Sequence, residues 1–302
     1  LGAYWDYYLL QHVVKLRKSS LAIAEKMLSE DRQRVASGQL AESEMLRMTS
    51  WVAERRRSLF QGQQELNNAS EQLRNFLSLS SGSSVTLEVL AKPQEKLNLP
   101  NEQILLDHAM SARPEALIAR RQVEQESART NYYENQTLPQ LDLKLSTDMT
   151  GLATHSDKAL TQVNDQVYRG HAVGLEFKTP LDGKGAAAEL SASRMKHQSA
   201  LLEIKGVENS LVNAIATQLA NLQSLTEQLA EMQAVASSNK KMQSIEQQRY
   251  AAGKSTARAV LEKEELTNQA IHAELDTQVS LEKALVLLHT TEGSILKHYG
   301  LE

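Results

Sequence analysis

Residues 186–251 contain no proline and only one glycine, Gly206. The two residue types that most readily end or kink a helix are therefore almost absent, while alanine, leucine, glutamine and glutamate are common. At ~1.5 Å per residue, a single helix over this stretch would be about 100 Å long. The mean helix of a globular domain has only ~11–12 residues. This stretch therefore predicts long, laterally packed helices, and low aromatic content, 4% of the chain, agrees with that prediction.

A second helical region precedes it, at the start of the chain. Residues 3–36 lack proline and glycine, and residues 41–78 repeat an apolar residue at every seventh position. The apolar positions are Leu9, Val13, Leu16, Ile23 and Met27 in the first segment and Met45, Val52, Leu59, Leu66 and Leu73 in the second. A seven-residue repeat favours packing against a neighbouring helix. We expect an antiparallel hairpin that turns at Ser37 and Gly38.

The same turn pattern occurs twice. RVASGQL at 34–40 and RYAAGKS at 249–255 share the spacing Arg-x-Ala-x-Gly, and their arginines are 215 positions apart (249 minus 34). At this offset Leu66, Ala69 and Leu73 align with Leu281, Ala284 and Leu288. Residues 1–78 and about 216–293 thus look like two copies of one helical hairpin, which is an internal repeat.

Between the two copies the hydrophobic period changes from that of a helix to that of a strand. In LPQLDLKLSTDM and HAVGLEFKTPL, apolar and polar residues alternate. The apolar positions are Leu141, Leu143 and Leu145, then Val173, Leu175 and Phe177. Each segment therefore predicts a strand with one apolar and one polar face. The polar stretch 151–170 between them is too long for a tight turn.

Composition and motifs exclude several classes of function. The chain has no cysteine, and at a net charge of −4 it has no block of Lys or Arg, so we expect no nucleic-acid partner. No Ser-His-Asp arrangement, P-loop or paired histidine motif occurs, so we expect neither an enzyme nor a cofactor or metal site. No run of 18 apolar residues is present, so no transmembrane helix is expected. The adjacent acids Glu30-Asp31 and Glu264-Glu265 are interpreted as charges on helix surfaces.

Together, the order and spacing of these features resemble the outer membrane efflux proteins, the TolC-like outer membrane factors of Gram-negative bacteria. The segments RPEALIARRQVEQESARTNYYENQTLPQLDL and VGLEFKTPLDGKGAAAELSASRMKHQSALLE fit the same family. The resemblance implies a mainly α fold, in which very long antiparallel hairpins form one protomer of an α-barrel. A small strand pair would contribute to a membrane β-barrel.

The resemblance also implies a division of the chain. It predicts a first-repeat helical hairpin at 1–78, an equatorial connector at 79–112 and a helix of the second repeat at 113–136. A strand pair with an outer loop follows at 137–184, and the second-repeat long hairpin with a C-terminal segment occupies 185–300. The strand pair of the family's first repeat has no counterpart here, and residue 1 is expected to fall partway along the helix that follows that pair.

In function, the resemblance implies a passive exit duct of a tripartite efflux or type I secretion system. Such a duct is a homotrimer that crosses the periplasm and the outer membrane. Its partners would be a periplasmic adaptor protein, an inner-membrane pump reached through that adaptor, and outer membrane lipid.

Three groups of site residues follow from the resemblance. The hairpin tips would contact the adaptor through Arg34, Ser37, Gly38, Leu40, Arg249, Ala252, Gly253 and Ser255. Acidic residues at the periplasmic mouth would be Glu44 and Glu262. Membrane-facing strand residues would be Leu141, Leu143, Leu145, Val173, Leu175 and Phe177.

Simpler interpretations stay open for the same features. The tip glycines fit ordinary helix C-caps, and the two glutamates fit a solvated helix face. A soluble coiled-coil scaffold without a membrane role is the main alternative function, and a helical enzyme is a second. The strand pair argues against the scaffold, because a scaffold has no use for two strands in which apolar and polar residues alternate.

Overall fold

A computed structural model describes residues 1–79, 87–91, 93, 100–179 and 182–301. Part of the connector predicted for 79–112, and Pro180 and Leu181 after the second predicted strand, lie outside the described residues. The described chain forms two compact units. One contains Leu1–Ala112 and Leu211–Glu302, and the other contains Arg113–Ser210.

Helices dominate the described chain, as the sequence predicts. They are α1 (Gly2–Ala36), α2 (Glu42–Phe76), α3 (Glu102–Ala112), α4 (Pro114–Gln136), α5 (Ser156–Asn164), α6 (Lys184–Ala251), α7 (Ala257–Glu292) and α8 (Ile295–His298). The two strands are β1 (Gln140–Thr150) and β2 (Tyr168–Lys178). Helix α6, with 68 residues, is the uninterrupted helix expected from the proline-free stretch. The mainly α fold class with one small strand pair is confirmed.

In the first unit, the seven-residue repeat of α2 faces other helices. Val52 and Leu59 are buried, and Met45, Leu66 and Leu73 are partly buried. A core near the ends of four helices combines Ala24, Met27 and Leu28 of α1, Met48 and Val52 of α2, Tyr250 of α6, and Ala257, Val260 and Leu261 of α7. The predicted hairpins are therefore packed against each other through apolar side chains.

In the second unit, the two strands pair antiparallel. The register places Leu141 opposite Phe177, Leu143 opposite Leu175, and Leu145 opposite Val173. Side chains that are directly opposite in a ladder lie on the same face of the sheet, so these residues form one apolar face. The segment between the strands contains α5, a helix that the sequence analysis did not predict.

Candidate functional site

The first Arg-x-Ala-x-Gly segment closes helix α1. Gly38 has a φ of +73°, and its N–H donates to the carbonyl oxygen of Val35 at 3.0 Å. The next amide, that of Gln39, donates to the carbonyl oxygen of Arg34 at 2.8 Å. This pair of bonds is the glycine-dependent helix ending in which a left-handed residue turns the chain away from the axis. The chain then re-enters a helix at Glu42.

The second segment repeats this geometry at the end of α6. Gly253 has a φ of +69°, and its N–H donates to the carbonyl oxygen of Tyr250 at 2.9 Å. The amide of Lys254 donates to the carbonyl oxygen of Arg249 at 2.8 Å. The Thr256 side chain then caps α7 by accepting from the amide of Ala259 at 3.2 Å. The sequence repeat is thus a repeat of the hydrogen-bond pattern.

The two turns lie side by side. The Tyr250 hydroxyl, at the end of α6, donates to Oδ1 of Asp31 on α1 at 3.2 Å, and both side chains are buried. The guanidinium carbon of Arg34 lies 4.7 Å from the centre of the Tyr250 ring, within cation–π range. We call the turns around Gly38 and Gly253, with this contact between them, the paired tips.

Burial governs the ionisation of this contact. It raises the pKa of Asp31 above its usual value, while the Tyr250 hydrogen bond and the Arg34 charge oppose that rise. Burial also raises the pKa of Tyr250 to about 12, with the negative charge of Asp31 as the next cause. Tyr250 is therefore a protonated donor at neutral pH.

A groove of about 200 Å³ runs between the paired tips, and Arg34, Leu40 and Ser255 line it. The Ser255 hydroxyl donates to a carboxylate oxygen of Glu246 on α6, which ties the second tip to its own helix. The other predicted tip residues, Ser37, Gly38, Ala252 and Gly253, are exposed, as is Arg249. The predicted tip residues thus fall into groove-lining and outward-facing groups.

The two predicted mouth acids are each paired with an arginine of their own helix. Glu44 lies 3.3 Å from Arg47, and Glu262 lies 2.7 Å from Arg258. The pKa of Arg258 is raised, mainly by the hydrogen bond from its guanidinium to Glu262 and also, more weakly, by the charge of Glu44. Each predicted mouth acid is therefore one half of an ion pair rather than an isolated carboxylate.

Two of the acids interpreted as surface charges are buried, so that interpretation was wrong for them. Asp31 is 3% exposed and Glu264 is 1% exposed. Asp31 lies four residues after Met27, on the same face of α1, and this spacing was the available signal. Glu264 lies 3.2 Å from Arg55 of α2, which also donates to Glu265 at 2.8 Å. A buried carboxylate needs such a partner, and the partner comes from another helix.

The strand pair places the six predicted membrane-facing residues on one exposed face. Their exposure ranges from 61% for Leu143 to 74% for Val173. On the other face, Glu176 contacts both Lys144 and Lys178. A contiguous exposed apolar face of this kind indicates an interaction surface.

Two further features bear on the type of site. Across the described residues, no His, Asp and Glu side chains group so as to bind a metal ion. In the same residues, no helix combines the length and the apolar character needed to cross a bilayer.

Residues 105–294 match the family described as outer membrane efflux protein. The chain belongs to the outer membrane efflux protein family. The match begins in α3 and extends to the end of α7, so it includes the strand pair and the second tip. The family resemblance inferred from the sequence is therefore confirmed.

Solved structures share the fold of this outer membrane efflux protein. A membrane protein from Pseudomonas aeruginosa aligns with a TM-score of 0.68 at 20% identity, over 97% of this chain and 64% of its own. VceC from Vibrio cholerae aligns with a TM-score of 0.68 at 19% identity, and the alignment covers 96% of this chain and 68% of VceC. The CmeC channel of Campylobacter jejuni aligns with a TM-score of 0.68 at 15% identity, and the alignment covers 97% of this chain and 61% of CmeC. No curated protein matches the chain.

Proposed function

We propose that this chain contributes to a passive, trimeric exit duct, the outer membrane component of a tripartite efflux or type I secretion system. The observation that carries the proposal is the pair of equivalent glycine turns held side by side by Tyr250 and Asp31. Membership of the outer membrane efflux protein family supports it. The five regions given by the sequence analysis are part of the same proposal.

Exposed apolar side chains on the helices support association with further copies. Leu46 and Phe60 on α2 are each 62% exposed, and Ile245 and Leu266 on the second hairpin are also exposed. A heptad-patterned hairpin gains stability when neighbours cover such residues, and identical copies around a closed axis do so symmetrically. We propose a homotrimer whose hairpins enclose a wet channel lined by polar residues.

The paired tips are the proposed contact for a periplasmic adaptor, which would connect the duct to an inner-membrane pump. Outward-facing Ser37 and Ala252 expose backbone and small side chains, a surface that a partner helix end can approach closely. The groove lined by Arg34, Leu40 and Ser255 offers a complementary charged and apolar recess.

At the mouth of the duct, threefold symmetry would repeat Glu44 and Glu262 as rings. Rings of carboxylates favour cations in channels. Because each glutamate is paired with an arginine, we propose that the rings tune selectivity rather than bind a fixed cation.

The apolar face of the strand pair is proposed to meet outer membrane lipid. Leu143→Lys places a charge on this face, and Ser146→Lys places the same charge on the opposite face. For a lipid-facing strand, the midplane cost of lysine is about 2–4 kcal/mol. We therefore expect Leu143→Lys to reduce the membrane-assembled fraction strongly, whereas Ser146→Lys leaves it near wild type. Equal assembly of both variants would contradict lipid contact.

The decisive experiment uses the absence of cysteine in this chain. Leu40→Cys and Ser255→Cys place a photo-crosslinker at the groove, and Ser210→Cys places it on the exposed surface of α6 as a control. The variants are expressed in cells from the native gene. We expect crosslinks to an adaptor from the two groove positions and none from the control position Ser210. Crosslinks of equal yield from Ser210 would overturn the adaptor contact.

The oligomeric state distinguishes the proposed duct from the alternative, a soluble coiled-coil scaffold. The duct predicts trimers that are extracted from outer membranes only with detergent, as measured by native mass spectrometry. A monomer or dimer that stays in solution without detergent would favour a soluble coiled-coil scaffold.

A further inference from the structure

The apolar face of the strand pair ends before the strands themselves end. Beyond the row formed by Leu145 and Val173, the register places Thr147 opposite His171. Every second residue of a strand lies on the same face, so this row belongs to the apolar face. Oγ1 of Thr147 and Nδ1 of His171 are 3.0 Å apart, within hydrogen-bond distance. A polar row therefore closes the run of apolar rows on the side of the strand pair that leads to α5.

The next row of the same face carries a cation. Met149 lies opposite Arg169, and both side chains are exposed. The other Asp, Glu, Lys and Arg residues of the two strands occupy even positions, on the opposite face: Asp142, Lys144, Asp148, Glu176 and Lys178. Arg169 is therefore the one permanently charged residue of a face that is apolar over its first three rows.

Most of the donors of Arg169 are free. Its Nε donates to the carbonyl oxygen of Gln166 at 3.3 Å. Among the residues that the structure describes, no carboxylate pairs with the guanidinium, including that of Asp165 in the preceding turn. The carboxylate of Asp148 lies over Gly170 on the opposite face, where a Cβ on the glycine would be 2.5 Å from Oδ1. The four N–H bonds of Nη1 and Nη2 are therefore available to an external acceptor.

The distance of Arg169 from the other end of the face matches the thickness of a membrane. Arg169 is eight positions from Phe177 (177 minus 169), which is about 27 Å of strand at ~3.4 Å per residue. Because strands of membrane barrels tilt by ~35–45°, this length spans about 20 Å along the membrane normal. The outward apolar band of such barrels is ~25 Å tall. With Phe177 near one boundary of the hydrocarbon region, Arg169 lies near the other, at the level of lipid headgroups.

An anionic membrane lipid has the same order of chemistry as this face. Its acyl chains suit the exposed rows that end with Leu145 and Val173, and its phosphate suits the guanidinium. Arginine binds phosphate with two parallel N–H donors, which gives the contact a defined geometry. Met149 provides an apolar surface beside Arg169, along which the long arginine side chain can extend while its charge stays in water.

We propose that Arg169 binds the phosphate of an anionic membrane lipid whose acyl chains lie on the apolar face of the strand pair. This inference rests on the proposed contact between that face and lipid, and it specifies the headgroup. The two proposals can fail separately. Leu143→Lys tests the lipid contact through membrane assembly, whereas Arg169→Gln leaves the apolar rows intact and tests only the preference for a headgroup.

The test is native mass spectrometry of the detergent-purified protein with equal concentrations of phosphatidylglycerol and phosphatidylcholine that have the same acyl chains. Both lipids contain a phosphate, but the choline cation neutralises it in the second. One cation at a bilayer surface corresponds to about fivefold in affinity for anionic lipid, so we expect wild type to prefer phosphatidylglycerol about fivefold. Arg169→Gln should remove this preference. Arg169→Lys, which keeps the charge, and Lys144→Gln, which removes a cation from the opposite face, should both retain it.

The proposal is overturned if wild type binds both lipids equally or if Arg169→Gln keeps the preference. It is also overturned if Lys144→Gln loses as much preference as Arg169→Gln, because the preference then depends on total charge. Soluble glycerol 3-phosphate distinguishes a lipid site from a site for free phosphate. At the concentration of the lipid it should leave phosphatidylglycerol bound, and complete displacement would refute a lipid site.

Circular dichroism checks that each variant folds. Should Arg169→Gln not fold, Met149→Glu takes its place, because it sets a negative charge directly opposite Arg169 on the same face. This variant should also lose the preference for phosphatidylglycerol, and a preference equal to that of wild type would then overturn the proposal.

Discussion

The contact between Tyr250 and Asp31 allows a direct test of what holds the paired tips together. Tyr250→Phe deletes one hydroxyl and keeps the ring, so the packing of Arg34 on that ring is retained. The lost bond joins a hydroxyl to a buried carboxylate at 3.2 Å. Hydrogen bonds to charged groups contribute about 1.5–3 kcal/mol. We expect the lower end of that range, because the bond is long and Arg34 still neutralises part of the charge.

Hydrogen exchange measures this loss where it occurs. If the variant destabilises the closed state of the paired tips by ~1.4 kcal/mol relative to the opened state, amide hydrogens protected by that closed state exchange about tenfold faster. We therefore expect amides such as those of Gln39 and Lys254 to exchange about tenfold faster in Tyr250→Phe. Tyr132→Phe, which changes an exposed tyrosine of α4, is the matched control and should exchange like wild type.

The effect should depend on pH in a defined direction. Burial raises the folded-state pKa of Asp31 above its usual 3.8. The stability that this raised pKa contributes to the folded state is therefore fully present below about pH 4. That stability is lost as pH rises through the folded-state pKa, where the carboxylate ionises and depends most on the Tyr250 hydroxyl. Tyr250→Phe should thus be most costly above that pKa, and Asp31→Asn should remove the pH dependence. Equal exchange in Tyr250→Phe and wild type at neutral pH would refute this reasoning.

Three further predictions concern two glycines, the ionisation of Tyr250 and the two proposed mouth acids. Gly253→Ala should destabilise the second tip by about 1 kcal/mol, because alanine resists the positive φ, whereas Gly206→Ala inside α6 should stabilise by up to about 1 kcal/mol; urea unfolding of each variant measures both. In the absorbance titration of tyrosines, one group should ionise only near pH 12, and Tyr250→Phe should remove that step; an unchanged titration curve would contradict the assignment. Replacing Glu44 and Glu262 together by Gln should lower cation selectivity in single-channel recordings, and identical reversal potentials would rule out a role for the proposed rings.

Much of the fold could be predicted from local sequence, because the responsible interactions are local. The proline-free stretch specified α6, and the seven-residue repeat specified which face of α2 is buried. Gly38 and Gly253 marked the turns, since glycine adopts positive φ without strain. Alternation in β1 and β2 gave their two faces, although the helix α5 between the strands was not predicted from its short polar segment.

Sequence by itself therefore determined the helices, the two turns and the amphipathic strands of this chain, all of which depend on residues close together in the chain. Only the tertiary structure decided which helices meet. It brought Tyr250 to Asp31 across 219 positions and Arg55 to Glu265 across 210, and it buried two acids that local pattern placed on the surface. The physical reason is that a buried charge needs a partner from another helix, and a local sequence pattern does not predict which residue that partner is.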